Sequence, residues 1–175
     1  MDAHSLFSTD CTVVEIKGQY IYPIFKNGSS SIMKEAGEVL VNDQIAHCDN
    51  INIFIRDPEQ RFISGINEYC ERNNLDLQPT LKLVEQDVLT DRHFSPQWTW
   101  ILHLSKHYKA NVTLRPFSDI KQFCGRHSNR RNTAVKQITP VDKYVRHDKA
   151  LLKHLGETVN IGKLIRICKD GLSQT

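Results

Sequence analysis

The spacing of apolar and polar residues predicts strands that alternate with helices. Residues 12–17 and 20–25 are rich in β-branched and aromatic side chains, and Gly18-Gln19 between them fits the two-residue turn of a hairpin. A helix over 32–39 should follow, with one of the preceding serines as its N-cap. We expect the first of these strands to lie at a sheet edge and the second inside the sheet.

A second strand and helix follow the first pair. Residues 51–55 form a short apolar run, and Pro58 stands where the first turn of a helix tolerates proline, so we expect a helix up to Arg72. The later pattern predicts, in chain order, helices at 77–89 and from Pro96, a strand at 111–117, and helices at 119–124, 140–155 and 157–168. This alternation predicts a three-layer α/β fold in which helices flank a mainly parallel central sheet.

Composition narrows the class of protein. The chain has 175 residues, 39% of them hydrophobic, which is typical of one globular domain. Its net charge of +3 is small for a dedicated nucleic-acid binder. We find neither a membrane-spanning run nor an export signal, and the five scattered cysteines form no C-x-x-C pair. We therefore expect a soluble cytoplasmic or otherwise intracellular protein with reduced thiols and no membrane partner.

The loop from Lys26 to Ser31, which reads Lys-Asn-Gly-Ser-Ser-Ser, is the first candidate site. It lies between a predicted strand and a predicted helix, where free backbone N–H groups and the helix dipole favour an anion. The loop of nucleoside-triphosphate enzymes places its lysine directly after a second glycine, whereas Lys26 precedes Gly28 by two residues. The segment is therefore either an unusual phosphate loop or a serine-rich helix cap.

Arg56 begins the second candidate site, since it follows the carboxyl end of the 51–55 strand, where open α/β sheets bind ligands. A guanidinium can form two hydrogen bonds to one phosphate. Arg61 and Ser64 share a face of the following helix, so all three side chains could converge on one anion. The alternative for Arg56 is an ion pair with a surface carboxylate.

Together these segments resemble the paired motifs of sulfotransferases that use 3′-phosphoadenosine 5′-phosphosulfate (PAPS), especially the carbohydrate sulfotransferases. Residues 22–31 are similar to the family's loop for the 5′-phosphosulfate, and residues 55–64 to its clamp for the 3′-phosphate. Weaker similarities are Asp91-x-His93-x-x-Pro96-Gln97, His127-x-Asn129, and the later Tyr144 and Asp148. The resemblance implies a P-loop-like fold, PAPS as sulfonate donor, a small-molecule or carbohydrate acceptor, and no metal.

The resemblance also implies roles for single residues. Lys26 and the 28–31 backbone would stabilise the departing phosphate oxygen. The donor would contact Lys26, Asn27, Gly28, Ser29, Ser30, Ser31, Arg56, Arg61, Ser64, Arg130 and Arg131. A histidine, largely neutral at pH 7, can accept the acceptor's proton, and His93 is the first choice, with His47 as the alternative. The basic loop 125–137, which contains Arg130 and Arg131, is expected to act as a lid.

Two other functional classes stay open on the sequence. One is a phosphotransferase with a degenerate phosphate loop, and the other is a non-catalytic module that binds a nucleotide or RNA through the basic loop. His103 and His107 lie one helical turn apart, but neither the H-E-x-x-H pattern nor a third ligand accompanies them, which disfavours zinc. Trp98 and Trp100 are candidates for stacking on a ring or for core packing.

Overall fold

Six strands form one sheet in the computed structural model, which describes residues 10–125 and 136–171. The strands are β1 (Thr12–Ile16), β2 (Gln19–Ile21), β3 (Glu38–Val41), β4 (Asn50–Ile55), β5 (Asn111–Pro116) and β6 (Thr158–Asn160). Their order across the sheet is β3-β1-β2-β4-β5-β6. The predicted α/β class is confirmed, with helices flanking this sheet.

Seven α-helices accompany the sheet within the described residues. They are α1 (Ser29–Glu35), α2 (Pro58–Asn73), α3 (Leu77–Glu85), α4 (Gln97–Leu104), α5 (Ile120–Cys124), α6 (Asp142–Leu152) and α7 (Ile161–Asp170), with 3₁₀ turns at Asn42–His47 and Phe117–Asp119. Alternate residues of a strand point to opposite faces. Ile51, Ile53 and Ile55 of β4 belong to a core with α4 and α7, whereas Phe54 packs with α1 and α5. Burial on both faces explains the continuous apolar run of β4.

The sheet is mixed, so the expectation of a mainly parallel sheet is wrong. Only β2–β4 and β4–β5 pair in parallel, whereas β1–β2, β1–β3 and β5–β6 pair antiparallel. A short connection explains the antiparallel β1–β2 pair, because a parallel pair needs a crossover of about a dozen residues. Lys17 and Gly18, both at positive φ, form the tight turn that joins β1 to β2.

Two strands lie where helices were expected, and one expected edge is internal. The 32–39 helix instead occupies Ser29–Glu35, and β3 follows it and covers β1, which is therefore not an edge strand. The Gly37 N–H donates to the Glu15 carbonyl at 2.8 Å and turns the chain back onto β1. The helix predicted from residue 157 begins only at Ile161, since β6 precedes it and the Asn160 side chain caps its first turn.

The parallel strands β2, β4 and β5 bring the two candidate segments together. The carboxyl ends of parallel neighbours meet at one edge of a sheet, which brings the segment after β2 beside the segment after β4.

The five cysteines are free and buried. Within the described ranges no helix is both long and apolar enough to cross a membrane.

Candidate functional site

The loop between β2 and α1 has an unusual backbone that glycine makes possible. Lys26 and Gly28 have φ angles of 68° and 76°, in the left-handed region. A Cβ atom on Gly28 would lie 2.1 Å from Ile120 Cδ1 and would be strained at this positive φ, so glycine is favoured there. Gly28, and not a serine, is the N-cap residue of α1, which corrects the predicted serine cap. The three serines 29–31 are the first residues of that helix.

A hydrogen bond joins the two candidate motifs. Arg56 Nη1 donates to the Lys26 carbonyl at 3.0 Å, and the guanidinium lies over the Phe117 ring, 5.3 Å from its centroid. Burial lowers the pKa of Arg56, while Asp57 opposes that shift. Arginine nevertheless stays charged at neutral pH. The structure thus holds a cationic group, Arg56, beside the Lys26 loop.

Arg61 is buried beneath this loop, with 1% of its surface exposed. Its Nε atom donates to the Phe25 carbonyl at 3.1 Å, and its Nη1 atom donates to the Ser95 carbonyl. Burial lowers the pKa of Arg61 to about 10, while Asp148 opposes that shift. These contacts tie the loop to α2 and to the segment that contains Ser95, and the predicted contact of Arg61 with the 3′-phosphate stays a prediction.

A buried amide and carboxylate network continues from the loop to α4. Asn27 Nδ2 donates to the Phe54 carbonyl at 2.8 Å and to Gln97 Oε1 at 2.5 Å. Asp148 accepts hydrogen bonds from the backbone N–H groups of Gln97 at 2.6 Å and Trp98 at 2.9 Å. Burial raises the pKa of Asp148, although these hydrogen bonds and Arg61 oppose the shift. The network sets the position of the Lys26 loop relative to α4.

The Lys26 side chain forms an ion pair with Glu68 on α2, and Glu68 also binds Arg72. Burial alone would raise the pKa of Glu68, but Lys26 and Arg72 outweigh burial and lower it. Ser64 lies one turn before Glu68 on α2 and is half-buried. Lys26 therefore points toward the helix face that carries Ser64, the predicted partner of the 3′-phosphate.

His93 has the contacts of a proton acceptor. Its Nδ1 atom lies 2.5 Å from Asp91 Oδ1, and its backbone N–H donates to the same oxygen at 2.9 Å. Burial would raise the pKa of Asp91, but the hydrogen bonds from His93 lower it, so Asp91 is ionised. A carboxylate only accepts, so Nδ1 carries the proton in this contact, which leaves Nε2 as the ring nitrogen available to a ligand. The His93 ring lies 5.6 Å from that of Phe25, the residue before Lys26.

The alternative base, His47, lies in a different place. It ends the Asn42–His47 turn and lines a cavity of about 410 Å³ together with Tyr20, Glu38 and Asp43. None of the loop residues 26–31 lines that cavity. The structure therefore brings His93, and not His47, beside the Lys26 loop.

A second cavity, of about 600 Å³, opens beside the loop serines. It is lined by Asp10, Cys11, Thr12, Tyr22, Pro23, Phe25, Ser29, Ser30, Met33, Arg92, Trp100 and His103. The sequence interpretation missed Met33, Arg92 and His103 as site residues. One signal was present, since Trp100 and His103 are three residues apart and share a face of α4. Trp98 instead stacks on His147, at a centroid distance of 4.8 Å.

Two further predictions concern a metal site and the basic loop 125–137. In the described ranges no group of three or more His, Cys, Asp or Glu side chains could hold a metal ion. Arg130 and Arg131 lie outside the described residues, as does most of loop 125–137, so their predicted contact with the 3′-phosphate and the predicted lid stay predictions.

No protein-family model, curated protein or solved structure matches this chain. The class of the molecule therefore follows from its own fold and site. It is an α/β protein with a six-stranded mixed sheet. Two cationic side chains, Lys26 and Arg56, lie where two adjacent parallel strands end.

Proposed function

We propose that this protein is a PAPS-dependent sulfotransferase with a P-loop-like, three-layer arrangement of its helices. One observation carries the proposal: the Arg56 guanidinium donates to the Lys26 carbonyl at 3.0 Å. The two motifs are 30 residues apart in the chain, yet they adjoin at the end of the β2–β4 pair. A donor with phosphate groups at its 3′ and 5′ positions needs two separate but neighbouring cationic contacts.

In this proposal the 5′-phosphosulfate lies against Lys26 and the 28–31 backbone, and the 3′-phosphate lies against Arg56 and Ser64. Glu68 supports the assignment of Lys26, because it keeps the ammonium paired in the partly buried loop before a donor binds. A donor with several negative charges competes with that single carboxylate for Lys26. Once the donor has replaced Glu68, the Lys26 ammonium lies beside the bridging phosphate oxygen, on which negative charge develops.

His93 takes the proton of the acceptor hydroxyl on Nε2 while the new bond between oxygen and sulfur forms. The bond between sulfur and the bridging phosphate oxygen breaks, and Lys26 stabilises the negative charge on that oxygen. The products are the sulfated acceptor and 3′-phosphoadenosine 5′-phosphate. Asp91 holds the His93 ring and stabilises its protonated form. None of these steps requires a metal ion.

Calorimetric titration tests the donor site. The protein should bind 3′-phosphoadenosine 5′-phosphate on the order of tenfold more tightly than adenosine 5′-phosphate, because a charge-assisted hydrogen bond contributes about 1.5–3 kcal/mol. Arg56→Gln should abolish this preference, whereas Arg146→Gln, at an exposed arginine on α6, should retain it. Thermal melting of both variants checks that they fold.

Equal affinities for the two nucleotides would contradict the proposal. Magnesium-dependent binding of ATP with phosphate transfer would instead indicate the phosphotransferase. Tight binding of 3′-phosphoadenosine 5′-phosphate without sulfonate transfer to any acceptor would indicate the non-catalytic module.

A further inference from the structure

Strand β3 ends one side of the sheet, and no other strand of the described residues pairs with its outer edge. In an antiparallel pair, the backbone groups of successive residues alternate between the partner strand and the outer side. The Asn42 N–H donates to the Cys11 carbonyl at 3.0 Å, so every second residue back along β3 from Asn42 bonds to β1. Val39 and Val41 therefore direct their N–H and C=O groups away from the sheet.

The contacts of these two valines leave Val39 as the open part of the edge. Gln44 Oε1 accepts a hydrogen bond from the Val41 N–H at 2.9 Å, so that outward donor already has a partner. Val39 is 46% exposed. Lysine or proline often protects an edge strand from pairing, and β3, which reads Glu-Val-Leu-Val, contains neither. The edge can thus accept one more extended strand opposite Val39.

A cavity of about 410 Å³ adjoins the face of β3 that carries Glu38 and Leu40. Tyr20 and Leu40 give the cavity apolar surface, and both pack against the core. The exposed side chains of Glu38 and Asp43 also line it. Among the described residues, no lysine or arginine belongs to the lining. The cavity is therefore suited to a cationic group on an apolar stem.

The charges around this cavity are mainly negative. Burial raises the pKa of the Cys48 thiol to about 11, and the negative charges of Asp49 and Glu38 add to that shift. Within the described part of the chain, His47 is the one lining side chain that can gain a positive charge, and it is exposed. A ligand with a fixed positive charge is thus favoured over an anion.

We infer that the β3 edge and this cavity bind an extended segment of a partner protein with lysine or arginine at alternate positions. The segment's residue opposite Val39 would exchange two backbone hydrogen bonds with it. The residues on either side then direct their side chains to the face of Glu38 and Leu40, because side chains alternate along a strand. A lysine there lays its stem on Leu40 and brings its charge near Glu38 and Asp43. The surface lies apart from the Lys26 loop, so this inference does not depend on the proposed function.

Calorimetry with synthetic peptides tests the inference. The probe is the acetylated and amidated peptide Thr-Lys-Val-Lys-Thr, whose lysines flank the valine that pairs with Val39. We expect it to bind on the order of tenfold more tightly than Thr-Glu-Val-Glu-Thr, whose carboxylates are repelled by those of Glu38 and Asp43. Methylation of the valine nitrogen in the lysine peptide removes the donor that strand pairing requires, and it should weaken binding by a similar factor.

Variants of the protein locate the site. Val39→Pro removes the outward N–H and should abolish binding of the lysine peptide, and β3 should tolerate proline there because this N–H does not bond to β1. The double variant Glu38→Gln, Asp43→Asn should weaken binding by about fivefold. Glu85→Gln, at an exposed glutamate of α3, is the matched control and should leave binding unchanged. Thermal melting checks that each variant folds.

Three results would overturn the inference. Equal binding of the lysine and glutamate peptides would show that the charges of the cavity do not select the ligand. Undiminished binding of the N-methylated peptide to the wild-type protein would exclude strand pairing, whether or not Val39→Pro folds. Binding of cadaverine as tightly as the lysine peptide would indicate an amine site that does not use the β3 edge.

Discussion

Lys26 combines a rare backbone conformation with a side chain that points toward α2. Few lysines adopt a φ of 68°, and here hydrogen bonds from Arg56 to the Lys26 carbonyl and from the Asn27 N–H to the Ile24 carbonyl hold the loop. In the proposed mechanism, a residue held this firmly reaches the reacting group without reordering its backbone. Predictions at the residue scale therefore concern Lys26, its partner Glu68, and the two candidate bases.

Replacing Lys26 by alanine should lower turnover on the order of a hundredfold and change nucleotide affinity less than tenfold, because the ammonium meets charge that develops in the transition state. Sulfonate transfer and calorimetry measure the two effects. Lys34→Ala, at an exposed lysine of α1, is the control. Repeating Lys26→Ala in the Glu68→Gln background removes the carboxylate that the substitution leaves unpaired. If Lys26→Ala loses donor binding while the turnover of bound donor stays unchanged, Lys26 acts by binding the donor in its ground state and not by stabilising the transition state.

Glu68→Gln should strengthen binding of 3′-phosphoadenosine 5′-phosphate by about fivefold, because it removes a negative charge that competes for Lys26 in a partly solvated site. Calorimetry at low and high salt measures the change, which should shrink as salt screens it. Glu71→Gln, at an exposed glutamate of the same helix, should have no effect. Unchanged or weaker binding by Glu68→Gln would show that Glu68 does not oppose the donor.

His93→Ala should reduce sulfonate transfer by about 10²–10⁴-fold with little change in nucleotide affinity, since general-base catalysis contributes on that scale. His47→Ala should lose less than about tenfold, because His47 lines the separate 410 Å³ cavity. A large loss for His47→Ala alone would transfer the role to His47, and small losses in both would indicate a carboxylate base such as Asp91 or an acceptor that needs no base.

At the scale of elements, α2 organises both halves of the site. One face of this helix carries Glu68, which pairs with Lys26, and its first turns carry Arg61, which binds the Phe25 and Ser95 carbonyls. Gly65 allows the helix to approach the segment that contains His93, since a Cβ there would lie 2.0 Å from the His93 carbonyl oxygen. The packing of α2 thus sets the positions of the lysine and the histidine together.

Gly65→Ala should therefore displace the 91–95 segment. We expect a loss of about 1–3 kcal/mol in the free energy of unfolding and a fall in turnover that exceeds any change in nucleotide affinity. Urea denaturation and sulfonate transfer measure these effects. Gly162→Ala in α7 is the control, because its Cβ would meet only the Asn160 side chain, at 3.2 Å, and helical alanine is favourable. A fully active, equally stable Gly65→Ala would show that this close approach is not needed.

At the scale of the whole molecule, stability should depend on the protonation of buried His103. Burial, with Lys106 and His107 nearby, lowers its pKa from 6.5 to about 4. Below pH 6.5 the unfolded chain therefore binds a proton that the folded chain excludes, and folding stability falls until about pH 4. The total loss from this group is up to about 3 kcal/mol.

Denaturation of wild type and His103→Gln over that pH range measures the effect. As the pH falls from 6.5 to about 4, wild type should lose up to about 3 kcal/mol more unfolding free energy than His103→Gln. The exposed His47, replaced by glutamine, serves as the control. Parallel pH curves for wild type and His103→Gln would show that His103 is protonated equally in both states.

Local patterns were sufficient for most elements and for the two cationic motifs. The apolar run of β4 and the proline at the start of α2 restrict the backbone nearby, so these two elements were predicted close to their observed bounds. The hairpin was predicted, but its turn lies at Lys17-Gly18, one residue earlier than expected, and β2 ends at Ile21 and not at residue 25. Lys26 and Arg56 could be selected as candidates because each follows a predicted strand, and the structure places the Arg56 guanidinium on the Lys26 carbonyl. The strands β3 and β6 were missed, since each has only a few residues and gains its hydrogen bonds from a distant strand.

The sequence alone thus determined the α/β class, the first hairpin and the elements β4 and α2, because periodicity and turn chemistry act over a few residues. Only the tertiary structure decided the mixed sheet, the burial of Arg61, the pairing of Lys26 with Glu68 and the cavity lined by Trp100 and His103. These features depend on contacts between residues that are far apart in the chain. Their energies come from packing and desolvation, which no local pattern records.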